Sequence, residues 1–261
     1  MTMALQHIEM HSLASKLEHL ENLLRAANNS ASLTQLNELL RQLEAIVSCQ
    51  DCHESYDSSG KDNEIEKRID RVQEQACRSF GLLEKDLGQR KPQAESVARY
   101  LSMVSHTARR EAQTLGLDHR SKLLFIGCGA RPISCHALST HFGCQVVGVD
   151  VDPECIEQAR EYAKIVAQES RLGFLQANGS EVDATGYSHV FVASLVENKE
   201  QVLKNLLAQS DEKVRVAVRF GEGLQRLMNY PLSPLATLDW NLFAHHCDPQ
   251  ALYQTVFLQK S

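Results

Sequence analysis

Lys122-Leu123-Leu124-Phe125-Ile126-Gly127-Cys128-Gly129 marks a change of architecture in this chain. The four consecutive apolar residues, bounded by a glycine pair, read as a short buried parallel strand entering a tight turn. Comparable runs follow at Val146-Val147-Gly148-Val149, Gly173-Phe174-Leu175, Val190-Phe191-Val192 and Val214-Arg215-Val216-Ala217-Val218. Helical patterns lie between them, over Ser134 to Phe142, Pro153 to Ser170 and Asn198 to Gln209. Such alternation predicts an α/β fold with a doubly wound sheet. Leu238 to His246 and Tyr253 to Leu258, with Asp248-Pro249 in the connection, have no helix between them and predict a terminal antiparallel hairpin.

Upstream the period is helical. Leu13, Leu17, Leu20, Leu23 and Leu24, then Leu33, Leu36, Leu39, Leu40, Leu43, Ile46 and Val47, predict two amphipathic helices broken near Asn28-Asn29-Ser30. Ile65 to Leu87 renews the pattern, and Val97 to Leu115 carries it beyond Pro92. The expected organisation is an α-helical domain over 1–117 and a Rossmann-type domain over 118–261. Asp51 to Asp62 is polar and reads as an exposed connection. Cys49, Cys52 and His53 spell Cys-x-x-Cys-His, but no second pair at zinc spacing follows and haem attachment would need export, so no metal is expected there.

The 261 residues carry a net charge of −6 with no basic run, which argues against nucleic acid or an anionic membrane as partner. No apolar stretch approaches a membrane span and no signal-peptide pattern opens the chain, so a cytoplasmic protein is expected. Of the 8 cysteines, Cys77, Cys128, Cys135, Cys144 and Cys155 stand singly in helical or strand patterns and read as core residues in a reducing compartment.

Gly127-Cys128-Gly129 lets the backbone turn sharply and approach a ligand. Pro132 stands near where a dinucleotide fingerprint has its third glycine, which argues against a bound pyrophosphate and for the phosphate-free S-adenosylmethionine. Asp150, with Val151 beyond it, ends the second strand where an acid accepts the two ribose hydroxyls. Asp152 can serve as cap for the helix opening at Pro153, leaving Asp150 free for that task. Asn178-Gly179 and Ser194, at the ends of the third and fourth strands, complete the expected cofactor loops; Asn-Gly is also an ordinary turn.

Three segments carry a family likeness: Phe125 to Ser134, Tyr187 to Val196, and Val218-Arg219-Phe220-Gly221-Glu222-Gly223 running to Tyr230-Pro231. In them the chain resembles nicotianamine synthase and its bacterial relatives of opine-metallophore biosynthesis, which make staphylopine, pseudopaline and yersinopine. The resemblance implies transfer of the 3-amino-3-carboxypropyl arm of S-adenosylmethionine, as co-substrate, to the α-amine of histidine, with release of methylthioadenosine and no metal. It also implies a downstream opine dehydrogenase and leaves a homodimer open.

The family's catalytic glutamate lies in a segment similar to Arg78-Ser79-Phe80-Gly81-Leu82-Leu83-Glu84; Phe80 is its most direct counterpart, and Glu84 is the candidate carboxylate. Tyr100, in a similar Asn-Tyr context, and His106 on the same helix are further catalytic candidates. Arg219, leaving the fifth strand, is expected to clamp a substrate carboxylate, and Tyr230 to close the pocket. Each has a structural alternative: Glu84 as a solvated charge, Tyr100 as a core aromatic, His106 as a surface residue. An ordinary small-molecule methyltransferase and a non-catalytic binding module are the rival readings.

Overall fold

The computed structural model describes residues 12–30, 33–59, 62–89, 95–166, 169–248 and 251–260. Seven strands form one sheet in the order β3-β2-β1-β4-β5-β7-β6. β1 (Lys122–Ile126), β2 (Gln145–Asp150), β3 (Leu172–Gln176), β4 (His189–Val192) and β5 (Arg215–Phe220) are mutually parallel. β6 (Trp240–His246) and β7 (Gln254–Lys260) form the expected hairpin, with β7 antiparallel to β5. The order reverses between β1 and β4, which opens the crevice at their carboxyl ends where ligands of such sheets bind.

The central strands β1, β4 and β5 are hydrophobic on both faces because both faces are covered. Leu124, Ile126, Val190, Val192, Val216 and Val218 pack with α8 (Lys199–Gln209) on one side. Leu123, Phe125, Phe191 and Ala217 pack on the other with α6 (Ile133–Phe142), α7 (Pro153–Ile165) and α5 (Glu95–Leu115). Alternate residues of one strand thus serve different layers.

α1 (Leu13–Ser30), α2 (Leu33–Val47), α3 (Gln50–Ser58) and α4 (Asn63–Gln89) enclose a second core. Leu224, Leu227 and Met228, from the short 3-10 helix η1 (Gly223–Leu227) and its end, complete it. Arg226 pairs with Glu66 and Asp70, and Gln73 Nε2 donates to the Asn229 carbonyl at 2.5 Å, so α4 is fastened to the loop that follows β5. α5, by contrast, places Ala108, Ala112 and Leu115 in the core of the sheet. The packing boundary therefore falls between α4 and α5 rather than at 117/118. Sequence order does not divide the cores, because η1 returns to the helices and α5 leaves them.

The polar stretch expected as an exposed connection forms α3 instead. Its Cys52 and Tyr56, one turn apart, face the helical core. Cys49 caps that helix by accepting from the Cys52 amide, and a ring nitrogen of His53 meets the Val47 carbonyl at 2.7 Å. The Cys-x-x-Cys-His spelling is here the start of a helix. Among the described residues no group of three or more His, Cys, Asp or Glu could hold a metal.

Candidate functional site

α4 is long enough to cross the carboxyl edge of the sheet, and its contacts trace that crossing. Gln73 bonds to the loop after β5, Cys77 bonds to the Tyr230 hydroxyl, and Glu84 lies over the loop after β1. Lys85 bridges to Asp152 at 2.7 Å and Glu154 at 2.9 Å at the start of α7, and Gly88 packs against Gln158. Residues 73, 77, 84 and 88 recur at helical steps of four and seven, so they share one face.

Gly127 and Gly129 both have positive φ, +81° and +68°. A Cβ on Gly127 would lie 2.7 Å from Val196 Cγ2, and one on Gly129 would lie 2.7 Å from Glu84 Oε2. The glycines thus serve two needs at once, a left-handed turn and room for two opposing walls. The Gly127 and Cys128 amides donate to the Val149 carbonyl, and the Gly129 amide donates to Asp150 Oδ2 at 2.9 Å. Asp150 Oδ1 accepts from the Asp152 amide at 3.1 Å. A carboxylate offers about four acceptor sites, so Asp150 retains capacity on both oxygens for a pair of hydroxyls. Asp152, as expected, caps α7 through the Glu154 amide.

Glu84 has no hydrogen-bonding or ion-pair partner among the described residues, and nothing offsets its desolvation. Burial, followed by the charge of Asp150, pushes its carboxyl up to about 7. A carboxylate that titrates there, facing a crevice, is equipped to exchange a proton near neutral pH.

The other wall comes from β4 and β5. The Tyr230 amide donates to the Ser194 carbonyl at 3.1 Å, and burial raises the Tyr230 hydroxyl to about 12, with Cys77 and Glu197 adding to the rise. Val151, beside Asp150, is 69% exposed, an apolar platform at the rim. Asn178 Oδ1 accepts from the Ser180 amide and hydroxyl in a local turn, and a Cβ on Gly179 would meet Ile126, so the side-chain oxygen and the glycine serve the turn and its packing. Cys128 is buried beside Gly148, and burial raises its thiol far above the ordinary value.

The structure therefore brings Glu84, Gly127, Gly129 and Asp150 together, with Ser194 and Tyr230 linked across the second wall. Arg219 does not join them. The alternation of β5 that sends Val218 and Phe220 to one face sends Arg219 to the other, where it makes a bidentate pair with Glu111 of α5 and also donates to Ser134. Thr255, opposite Arg219 on β7, donates to the same carboxylate at 2.6 Å. With Glu111 holding its guanidinium, the expected substrate clamp is replaced by a buried ion pair. His106 is exposed on α5. Tyr100 also lies on α5, but its side chain is outside the described residues.

Residues that the sequence did not single out are Lys85, Glu111 and Lys199, and Cys77, read as a core residue, is half-buried and bonds to Tyr230. Only Lys199 left a local trace, a cation one position after the N-cap Asn198, where the helix dipole opposes it.

No protein-family profile matches the chain. A protein of Pseudomonas aeruginosa named L-histidine 2-aminobutanoyltransferase is 32% identical over 169 residues, covering 63% of this chain and 63% of the relative. One of Yersinia pestis with the same name is 28% identical over 132 residues, covering 51% and 49%. The chain thus spans less than two thirds of the length of the curated relatives it matches. Among solved structures, MtNAS in complex with MTA and tNA has a TM-score of 0.82 at 18% identity, covering 95% of this chain and 97% of that one. A glutamate-to-glutamine mutant of MtNAS in complex with S-adenosylmethionine has a TM-score of 0.80, also at 18% identity. These likenesses establish the fold, a Rossmann-type sheet with an N-terminal helical region.

Proposed function

We propose, from the chain's likeness in sequence to the L-histidine 2-aminobutanoyltransferases and in fold to MtNAS, that it moves the 3-amino-3-carboxypropyl group of S-adenosylmethionine onto the α-amine of histidine. The observation that carries this reading is Glu84, a desolvated carboxyl without a partner among the described residues, over the glycine loop and beside Asp150. A methyl group leaving a sulfonium and an aminocarboxypropyl group leaving it are activated alike. The wall that holds the amine decides which carbon is attacked.

The residues present fit the co-substrate. Asp150 accepts the ribose hydroxyls, the Gly127 to Gly129 turn admits the amino acid arm, and Val151 supports the apolar ring. Glu84 takes the proton of the histidine ammonium; the freed lone pair forms the new C–N bond while the C–S electron pair returns to sulfur, giving neutral methylthioadenosine. The secondary ammonium formed then loses its own proton. The product is a secondary amine that also carries two carboxylates, a primary amine and an imidazole, a donor set suited to metal chelation, and its primary amine is open to further reductive condensation by an opine dehydrogenase. A reducing, cytoplasmic setting suits the eight free cysteines. Among the described residues no helix is long and apolar enough to cross a membrane.

The direct test is incubation with S-adenosylmethionine and histidine, read by mass. Methylthioadenosine and an adduct heavier by one aminobutyrate unit are expected; methylated histidine with S-adenosylhomocysteine would instead make the chain a methyltransferase.

Asp150→Ala tests the co-substrate half. Two charge-assisted bonds at about 1.5–3 kcal/mol each predict at least a roughly 100-fold rise in the S-adenosylmethionine dissociation constant by calorimetry. Loss of the Asp150 charge also lowers the titration of Glu84, so the acid limb of the residual activity should move to lower pH. Parent-like affinity would place the co-substrate elsewhere.

A further inference from the structure

Lys199 is 2% exposed at the first turn of α8, and no carboxylate pairs with it among the described residues. Three things disfavour a cation there: lost hydration, the positive end of the helix dipole, and the absence of a counter-ion. Its partners are instead three backbone carbonyls, with Nζ donating to Ser194 at 2.9 Å, Val196 at 2.6 Å and Tyr230 at 3.3 Å. The ammonium also lies 5.7 Å from the centre of the Tyr230 ring.

Those carbonyls belong to the two loops that wall the crevice on the side away from Asp150. Ser194 O also accepts the Tyr230 amide, and Tyr230 O accepts the Gly221 amide. Val196 packs its methyl against Gly127, and the Tyr230 hydroxyl bonds to Cys77 on α4. One ammonium with three donors therefore joins the loop after β4 to the loop after β5, under the helix that carries Glu84. No apolar residue can make those three bonds, and among the described residues no carboxylate competes for them.

We propose that Lys199 is a positioning residue that clamps the wall away from Asp150, Ser194 to Val196 against Tyr230, and that this wall, through Tyr230 rather than through the cofactor loop, positions the nucleophilic amine of the acceptor. The proposal rests on the functional reading above for its kinetic consequence, but not for its structural one. Burial also brings the ammonium down to about 7. Its neutral form has one N–H fewer and cannot keep all three bonds. The groups facing it are Cys77 and the Tyr230 hydroxyl, raised by burial to about 11 and about 12, with Glu197 adding negative charge.

Lys199→Met, which keeps the stem and removes the donors, is compared with the parent in the full chain. The KM for histidine should rise by about 10-fold or more, with the S-adenosylmethionine dissociation constant changing less than about threefold. Amide exchange at Tyr230 and Gly221 should quicken relative to Val218. Unchanged exchange overturns the clamp, and faster exchange with parent-like KM overturns its positioning role. If the parent itself makes no methylthioadenosine, the functional reading fails while the exchange result still decides the clamp. Should the variant not fold, the same two amides in the parent decide it: their protection relative to Val218 should fall between about pH 6 and pH 9 as the ammonium is lost, and a constant ratio overturns the proposal.

Discussion

Glu84→Gln is expected to bind S-adenosylmethionine as the parent does and to release methylthioadenosine about 10²- to 10⁴-fold more slowly. The amide keeps the shape that fills the space over Gly129 but accepts no proton. In the parent, turnover with histidine should rise with pH through about 7, because the base acts only when ionised and its carboxyl titrates there. In the variant that limb disappears, and the free amine's own titration at higher pH takes its place. Stability moves the other way. A carboxyl whose folded value lies above the unfolded one holds extra protons in the native state, so its contribution is present below about 4.5 and lost as pH rises through about 7. Glu84→Gln escapes that loss. It should unfold at higher urea concentration than the parent at about pH 8, by order of 2 kcal/mol, with the gap closing towards about pH 4. A variant that turns over normally would reduce Glu84 to a packing residue. The base would then be sought at Tyr100, His106 or Tyr230.

Glu111→Ala is expected to cost about 3–5 kcal/mol, the largest change in stability of any single substitution considered, because it leaves a buried guanidinium without its counter-ion. Arg219 lies among Phe125, Phe191 and Tyr253, with ring centres 5.5, 5.6 and 5.2 Å away, and is 5% exposed. Glu111 is fully buried and also receives the Thr255 hydroxyl, so α5, β5 and β7 are joined through one carboxylate. Replacing both partners by apolar residues, as in Glu111→Leu with Arg219→Met, should recover most of the loss. Chemical denaturation of the two single variants and the double checks this. If Arg219→Met alone abolished histidine binding while leaving stability at the parent level, the pair would not be structural and Arg219 would return to the site.

The two predictions fall on residues whose roles the chain's order concealed in different ways. Glu84 was within reach of family likeness, yet only its burial over the glycine loop, together with the charge of Asp150, 66 residues later, explains why the carboxyl of a surface-looking helix residue is pushed up. Arg219 read as a ligand clamp because it ends a strand at the ligand edge. Strand alternation is visible in sequence, but the identity of what covers each face is not, and Glu111 is 108 residues away.

By itself the sequence determined the alternating strands and helices, the turn at Gly127 to Gly129, the acid at Asp150 and the terminal hairpin. These rest on local causes: apolar period, glycine's access to positive φ, and the spacing from one strand end to the next. It misread 51–62 because two buried residues, Cys52 and Tyr56, in a polar stretch carry too little periodicity to outweigh its composition. Only tertiary structure decided that α4 crosses the crevice, that α5 joins the sheet while η1 joins the helices, and that Lys199 binds carbonyls from two separate loops. Those are long-range choices, made when burial of several elements is satisfied at once, and a carboxyl's proton affinity or a lysine's partners are consequences of that joint burial rather than of any neighbouring residue in the chain.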